Sequence, residues 1–460
     1  MAGSMFAEEI GEQNDDSGFV LLDTGPEAIA FRDVLAGVAD KTLDVQYYLW
    51  KSDVAGLRLT QGLVNAADRG VRVRFLLDDQ HAGDDEHILL ELDQHPNIEI
   101  RLFNPFSNRQ LRALDYLVDL DRVNRRMHNK LFIADNAVAI VGGRNVSNEY
   151  FGIGANANFR DLDLLTIGPA VREMSAAFDD FWNHRLAIPV SALAGTQSNG
   201  EIHASEGSAE ISSGKRETNS RFVSALESIR DEIIWAPGEV LYDDPGKVVG
   251  KGSPVVADRL ARLLKSVDEE LLIESAYLVP DRHIIKQLEK LTSDGVRVRI
   301  LTNSLASNDV VAAHTGYARH RATLLRADVE LYELRHDAGM VRFAETVGDP
   351  IVTLHTKAVV FDRSRVFVGT FNIDPRSTYT NTEIGVVVDS PELSEQVAQF
   401  VEQGMLPEYS YQAVLGNGIS EVEWTGSEAS GERHTMEPNV GLWRRVNALL
   451  WSMLPVDGWL

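Results

Sequence analysis

The sequence predicts an α/β protein that contains one fold twice, and three observations lead to this prediction. The pattern His-x-Lys-x4-Asp occurs at residues 128–135 and again at residues 355–362. In both copies a glycine and then an asparagine follow the aspartate at the same spacing. Upstream of both copies, the apolar residues alternate between helical and strand periodicity. We therefore expect two duplicated repeats, each a mixed or parallel sheet flanked by helices, related by a pseudo-two-fold axis with the active site between them.

The first half gives these signals in order. Apolar spacing predicts a helix over 25–39 and a strand over 43–50. A second helix is predicted over roughly 56–69, ending at Gly70, and a second strand is predicted over 71–79. Helix, strand, helix, strand is the order that produces parallel pairing in an α/β sheet.

The second half repeats this order. Ser253-Pro254 provides a cap and a first-turn proline for a helix, and a strand follows over 271–273. Another helix ends at Gly295, before a strand over 296–301. Gly70 and Gly295 are 225 residues apart, and the two motif histidines are 227 apart. The agreement between these offsets indicates an internal duplication.

Each motif is predicted to form a hairpin that presents cations to an anion. The His and the Lys are two apart on a strand, so their side chains share one face. Turn-forming residues follow each motif aspartate, and an apolar strand then returns, which brings Asn145 or Asn372 near the level of the histidine. A histidine, a lysine and an amide that converge in this way suit a phosphate group.

Composition and spacing divide the chain into five segments. We expect an irregular N-terminal segment over 1–17, a first repeat over 18–190 and a connector rich in small and polar residues over 191–225. A second repeat is expected over 226–415, and a C-terminal segment with an amphipathic helix over 416–460. The start, Met1 to Met5, resembles an expression-vector remnant. The sequence therefore leaves open whether a native N-terminal anchor has been removed. For the final helix, packing on the protein's own core is favoured over docking on a membrane.

The chain has no cysteine and a formal net charge of −25, from 44 basic and 69 acidic residues. Thiolate metal sites and cysteine nucleophiles are therefore excluded. The charge argues against broad nucleic-acid binding, so no nucleic-acid partner is expected. No apolar run approaches the ~18 residues that span a bilayer. The lysines and histidines of the two motifs supply positive charge, and we expect no metal and no cofactor.

The paired motifs resemble those of the phospholipase D superfamily. That resemblance implies a phosphohistidine intermediate, with His128 as the nucleophile and His355 as the general acid and base, although the residues alone do not distinguish the two histidines. The implied catalytic set combines the histidine, lysine and aspartate of both motifs: His128, Lys130, Asp135, His355, Lys357 and Asp362. Asn145 and Asn372 are implied to support the phosphate, while the two aspartates are expected to hold the hairpins rather than touch substrate.

Family members also carry an acidic residue downstream of each motif that hydrogen-bonds a histidine. Glu383 fits this role after the second motif. After the first motif the sequence offers Asp161 and Asp163, and we expect Asp163 to be the counterpart. His314 and Tyr317 follow a strand of the second half, where they either contact a lipid headgroup or form a polar helix face.

Several stretches are similar to the bacterial cardiolipin synthases, in particular to the branch called type C; they are 43–50, 141–151, 181–183, 302–306 and 314–317. The similarity implies transfer of a phosphatidyl group from a second phospholipid, such as phosphatidylethanolamine, to phosphatidylglycerol. It also implies a bacterial protein with peripheral contact to the inner membrane; the oligomeric state stays open. The alternatives are hydrolysis of phospholipids to phosphatidic acid and, after that, a phosphodiesterase or nuclease.

Overall fold

The computed structural model describes residues 6–13, 15–83, 85–109, 111–193, 218–339, 351–416, 421–426 and 431–453. The expected N-terminal remnant, most of the expected connector and the last seven residues of the chain lie outside the described residues. Within these ranges, no helix is both long and apolar enough to cross a membrane.

The first half is a sheet with helices on its faces. Its strands are β1 (Ser17–Leu22), β2 (Thr42–Tyr47), β3 (Arg72–Asp78), β4 (Ile98–Phe103), β5 (Leu131–Ala134), β6 (Val138–Gly142), β7 (Ala157–Arg160), β8 (Asp163–Ile167) and β9 (Ala187–Pro189). Its helices are α1 (Ala7–Glu12), α2 (Gly25–Val38), α3 (Val54–Asp68), α4 (Glu86–Leu92), α5 (Arg112–Val118), α6 (Leu120–Val123), α7 (Pro169–Trp182) and α8 (Val190–Leu193).

The rest of the chain, from Thr218 onward, repeats this plan. Its helices are α9 (Thr218–Ser228), α10 (Val255–Leu264), α11 (Arg282–Ser293), α12 (Val311–Arg326), α13 (Pro391–Met405) and α14 (Leu442–Ser452). Its strands up to the second motif are β10 (Ile234–Ala236), β11 (Gly238–Tyr242), β12 (Glu270–Ser275), β13 (Arg297–Asn303), β14 (Glu330–Leu334) and β15 (Ile351–Leu354). Those from the motif onward are β16 (Lys357–Phe361), β17 (Arg365–Gly369), β18 (Ile384–Asp389), β19 (Ser410–Leu415), β20 (Val422–Thr425) and β21 (Arg433–His434).

The two sheets share one topology. Among the described residues, the first runs β10-β1-β8-β6-β5-β2-β3-β4-β9 and the second β11-β18-β17-β16-β12-β13-β14-β19-β20-β21. The central strands β2, β3 and β4 pair in parallel, as do β12, β13 and β14, while each motif hairpin joins its sheet antiparallel. The predicted α/β fold with two mixed sheets is therefore confirmed.

Local sequence explains the matching helices. Asp53 and Asp281 cap α3 and α11, because each carboxylate accepts backbone N–H groups of the first turn. Both helices end just before a glycine in the left-handed region, Gly70 with φ 94° and Gly295 with φ 93°. The same start and stop signals thus set the same helix in both halves.

The boundary between the halves differs from the expected one. Helix α9 begins inside the predicted connector, and Leu226 and Ile229 are buried in the core of the first half. Strand β10 then pairs with β1, and only after Pro237 does β11 enter the second sheet. The chain therefore completes the first sheet before it starts the second, which no local periodicity could reveal.

The halves join through backbone pairing around the motifs. Strand β15 pairs in parallel with β7, so residues just before His355 lie beside the first half. On the opposite side, Met127 forms a parallel bridge with Thr382. One buried apolar cluster contains residues of both sheets, among them Leu131, Val141, Ala358 and Val368. A continuous core therefore fixes the two hairpins against each other.

Helix α14 does not pack as expected. None of its side chains is buried, and Trp443 is 85% exposed. The helix is held instead by polar contacts: the Arg444 guanidinium donates to the carbonyl oxygens of Leu305 and Asn308. Among the described residues, the apolar side chains of this helix remain exposed, with Leu442 at 76% and Leu450 at 59%.

Candidate active site

Each motif histidine is held by the backbone of the other half. The N–H of His128 donates to the Thr382 carbonyl over 3.0 Å, and the N–H of His355 donates to the Arg160 carbonyl over 2.8 Å. These two contacts are equivalent under the internal duplication. The interface between the halves therefore fixes the backbone position from which each imidazole ring extends.

The carboxylates that orient the imidazoles also come from the opposite half. Nδ1 of His128 donates to Oε2 of Glu383 over 2.9 Å, and Nδ1 of His355 donates to Oδ2 of Asp161 over 2.7 Å. Both carboxylates are fully buried. A carboxylate on Nδ1 fixes the ring tautomer and leaves Nε2 as the nitrogen available for chemistry.

The expectation that Asp163 is the counterpart of Glu383 and hydrogen-bonds a histidine is wrong. Asp163 lies 2.9 Å from the Arg32 guanidinium and 3.3 Å from that of Arg144, within the first half. The register explains the error, since Asp163 stands opposite Gly142 in the sheet as Gly385 stands opposite Gly369. Glu383 thus corresponds to Asp161. The sequence alone does not separate the two aspartates, because Asp161 and Asp163 each immediately precede a leucine.

The motif aspartates lie at the far ends of the hairpins. Asp135 accepts the backbone N–H groups of residues 40–42, and Asp362 accepts those of residues 268–270. Both have positive φ, 55° and 49°. They join the turn of each hairpin to the start of the neighbouring strand, so they position the motif and do not contact the reacting groups.

The two lysines lie directly behind the histidines. The Lys130 ammonium donates to the His128 carbonyl over 2.8 Å, and that of Lys357 donates to the His355 carbonyl and lies 2.8 Å from Nδ1 of the same ring. Both side chains are at most 2% exposed. At this depth their charges act in a poorly screened environment on anything that binds in front of the rings.

Both histidines open onto one cavity of about 650 Å³ between the halves. Asn145 and Asn372 lie on its wall. Asn145 is already engaged, because its amide donates to the Tyr150 hydroxyl over 2.9 Å and its oxygen accepts the Leu49 N–H. By contrast, Oδ1 of Asn372 has no partner among the described residues. The amides of Asn145 and Asn372, which correspond in the duplication, therefore differ in their hydrogen bonding.

Sequence reasoning missed several residues of the cavity wall. The Tyr48 ring stacks edge-on against His128, with centroids 5.1 Å apart, and Tyr150 does the same to His355 at 5.0 Å. The Tyr150 hydroxyl lies 3.4 Å from Nε2 of His355. Arg376 donates to oxygens of Asn124 and Asn381. No spacing rule connects these residues to the motifs, because they belong to different loops.

His314 and Tyr317 do not contribute to the cavity. Both are buried on α12: His314 contacts Glu437, and Tyr317 donates to Glu333 over 3.0 Å. The face of α12 that lines the cavity carries Ala313 instead. The headgroup hypothesis is therefore wrong for these two residues, which belong to a polar network inside the second half.

Burial controls the protonation of the site. Burial, and then the charges of Lys130 and Lys357, lower the pKa of both histidines well below the ordinary value. Burial also lowers the pKa of Lys130 to about 7 and that of Lys357 to about 8. It raises the pKa of Glu383 to about 7. A bound phosphodiester anion opposes the lysine charges, so it favours a proton on one imidazole.

Two His-x-Lys-x4-Asp hairpins that meet in one cavity define a phospholipase D-like protein. The family described as "Cardiolipin synthase, PLD-like domain" matches residues 36–182 and 260–405, and the chain belongs to this family.

Similar proteins extend over nearly the whole chain. The sequence is 39% identical to cardiolipin synthase C of Escherichia coli strain K12, over 96% of both chains. It is 26% identical to cardiolipin synthase 1 of Bacillus cereus, over 81% of this chain and 64% of that protein. The crystal structure of phosphatidylserine synthase from Haemophilus influenzae Rd KW20 superposes with a TM-score of 0.58 at 15% identity, over 98% of this chain and 99% of the other, which supports the fold.

The lysine pKa values predict pH-dependent anion binding. A lysine is charged below its pKa, so affinity for sulfate, whose charge is constant, falls as the pH rises through about 7 to 8. We expect at least a tenfold (~1.4 kcal/mol) loss between pH 6 and pH 9, measured by isothermal titration calorimetry.

The matched variants are Lys130→Met and Lys357→Met, each of which should flatten this profile, and Lys265→Met at an exposed position of the helix end, which should not. Wild-type affinity that is constant with pH would show that the lysine charges do not change in this range.

Proposed function

We propose that this protein is a phosphatidyltransferase that makes cardiolipin from phosphatidylglycerol and a second phospholipid, at the periphery of the bacterial inner membrane. The observation that carries the proposal is the crossed arrangement of His128 with Glu383 and His355 with Asp161 around one cavity. Two oriented imidazoles are what a double displacement at phosphorus requires, one as nucleophile and one as acid and base. Phosphatidylethanolamine fits as the second lipid because its headgroup leaves as a small alcohol.

In the first step Nε2 of neutral His128 attacks phosphorus. The N–P bond forms while the bond from phosphorus to the headgroup oxygen breaks, and protonated His355 gives its proton to the departing alkoxide. His128 suits the nucleophile role because no described residue hydrogen-bonds its Nε2, whereas Nε2 of His355 faces the Tyr150 hydroxyl. The low pKa of His128 keeps its lone pair available.

In the second step His355, now neutral, accepts the proton of an incoming alcohol. The oxygen of that alcohol attacks phosphorus, and the N–P bond breaks. A headgroup hydroxyl of phosphatidylglycerol gives cardiolipin, and water gives phosphatidic acid by the same path. Lys130, Lys357 and the amide of Asn372 stabilise the charge that develops on the phosphoryl oxygens; removal of one such donor costs on the order of 10²–10³-fold in rate.

The direct test incubates the purified protein with phosphatidylglycerol vesicles, with and without phosphatidylethanolamine, in a metal chelator. We expect cardiolipin from the wild type, more of it with phosphatidylethanolamine present, and none from His128→Ala or His355→Ala. Mass spectrometry of rapidly quenched His355→Ala should find the phosphatidyl adduct on His128. Phosphatidic acid as the only product would make the protein a phospholipase D, and no lipid turnover would refute both activities.

Substitution of two aspartates distinguishes a residue that orients a catalytic histidine from one that stabilises the fold. Asp161→Asn keeps the shape but removes the charge beside His355, and we expect kcat to fall on the order of 10²–10⁴-fold with little change in thermal unfolding. Asp163→Asn leaves two buried arginines without their partner, and we expect a stability loss of about 3–5 kcal/mol. Equal losses of activity in two variants of equal stability would contradict this assignment.

The surface around the cavity supports peripheral membrane contact. Tyr116 of α5 lines the cavity, and the neighbouring Leu117 and Val118 are 81% and 79% exposed. On the other half, α14 is anchored beside Val310, which also lines the cavity, and leaves Trp443 and Leu450 exposed. Apolar side chains on both sides of an active-site mouth fit the interfacial region of a bilayer.

Arginines near this mouth lack carboxylate partners. Among the described residues, no carboxylate lies within salt-bridge distance of Arg125, Arg376, Arg444 or Arg445, which donate to carbonyl and amide oxygens instead. They form no direct ion pair, although Asp309 interacts electrostatically with Arg444 and Asp374 with Arg376, and the chain as a whole carries −25. Such cations attract anionic headgroups, at about 1 kcal/mol each near a membrane surface.

Polar substitution on both sides of the mouth tests this contact. The variant with Leu117→Ser, Val118→Ser, Trp443→Ser and Leu450→Ser should bind phosphatidylglycerol vesicles at least about tenfold more weakly in co-sedimentation, because each side chain loses apolar burial. Its turnover of monomeric dihexanoyl phosphatidylglycerol should match the wild type. Leu406→Ser removes an exposed leucine (43% exposed) at the end of α13, outside the cavity lining, and serves as the control. Unchanged vesicle binding by the fourfold variant would place the contact elsewhere.

A further inference from the structure

The second half contains an apolar cavity that the catalytic description leaves unused. It has a volume of about 190 Å³ and lies between α10 and α11, against the outer face of β12 and β16. Its walls are mainly apolar, with Leu260, Ala261, Leu264, Ile284 and Val359 among them. An apolar cavity of about 150 Å³ stays dry and can bind a small hydrocarbon.

The internal duplication shows how this cavity arises. Because Asp135 bonds residues 40–42 and Asp362 bonds residues 268–270, positions in this region correspond at an offset of 228. Tyr47 then corresponds to Ser275, and Arg32 to Leu260. In the first half, Arg32 donates to the Tyr47 hydroxyl over 2.9 Å, and both side chains are buried. In the second half, Ser275 and Leu260 line the void instead.

A third replacement enlarges the same space. The Arg32 guanidinium lies 5.6 Å from the centroid of the Phe151 ring, and the 227-residue offset of the motifs relates Phe151 to Thr378, which also lines the cavity. Three large side chains that fill the first half are thus replaced by smaller ones in the second. A cavity in a folded core is costly unless something fills it, so its position next to the active site calls for a ligand.

The cavity adjoins the catalytic one. Val279 and Asp374 line both, and the bridge between Leu278 and Ile373 lies at the shared wall. An apolar group that fills this cavity can therefore belong to a molecule whose polar part lies near the two histidines. A fatty acyl chain of a phospholipid meets both conditions.

We propose that this cavity binds one acyl chain of the phospholipid whose phosphate lies between His128 and His355, which makes the second half the lipid-selecting half. The inference rests on the proposed function for the identity of the lipid. Each methylene that enters the cavity leaves water, so chain length contributes directly to binding. Since part of that binding energy holds the phosphate in place, long-chain lipids are the better substrates.

The test fills the cavity. Ala261→Phe places a ring inside it, and Val255→Phe places the same ring on an exposed, non-lining position of the same helix. The measured quantity is the ratio of kcat/KM for dioleoyl to that for dihexanoyl phosphatidylglycerol, in mixed detergent micelles. We expect Ala261→Phe to lower this ratio at least about tenfold, and Val255→Phe to leave it within about twofold.

The outcomes distinguish the two proposals. Turnover by the wild type with an unchanged ratio in Ala261→Phe would overturn the acyl site and leave the transferase activity standing. If no phospholipid is turned over, the proposed function fails. Calorimetric titration with dodecyl phosphate then tests whether the cavity binds an alkyl chain. Binding that Ala261→Phe abolishes and Val255→Phe preserves would support the acyl site, and equal binding by all three proteins would refute it.

Discussion

The structure depends on the exchange of carboxylates between the halves. Glu383 of the second half orients His128 of the first half, and Asp161 of the first half orients His355 of the second half. A buried carboxylate without its partner is strongly unfavourable, so each half would expose or neutralise this group if the other were absent. The active site and the interface are therefore formed by the same contacts, and neither half can hold a working histidine alone.

Within this symmetric arrangement, small differences make the two histidines unequal. Gly143 has no side chain, and a Cβ there would lie 2.1 Å from Oδ1 of Asp161. The equivalent Thr370 instead donates its hydroxyl to Glu383. The amide of Asn145 donates to Tyr150, while Oδ1 of Asn372 has no partner among the described residues. Double displacement needs one nucleophile and one acid, and these differences are what allows a duplicated motif to divide the two roles.

The sequence predicts most of the fold because the relevant signals are local. Helix caps, the glycines at 70 and 295 and the strand periodicity define matching elements in both halves. The spacing within each motif also identifies the histidines and lysines of the site. The crossed pairing is not local, since Glu383 reaches a ring 255 positions away in the chain. The choice between Asp161 and Asp163 required the sheet register, which periodicity gives only to within a residue or two.

Two further differences between expectation and structure have a common origin. For His314 and Tyr317 the sequence left headgroup contact and a polar helix face open, and the two residues form a buried network with Glu437 and Glu333. The apolar residues of α14 were assigned to the core, yet they face outward. In both cases composition was taken as a guide to burial. That guide fails where partners from distant elements satisfy a buried polar group, and where an exposed apolar face has a function.

The charge distribution then gives the molecule a preferred orientation. A body with a formal charge of −25 is repelled by an anionic bilayer at distances up to about a Debye length, roughly 8–10 Å at physiological salt. The cavity mouth combines exposed apolar side chains with arginines that form no ion pair among the described residues. Contact through the mouth therefore offsets part of the repulsion and is favoured over approach by an acidic face. The net charge, which taken alone argues against an anionic lipid substrate, therefore helps to direct the active site toward it.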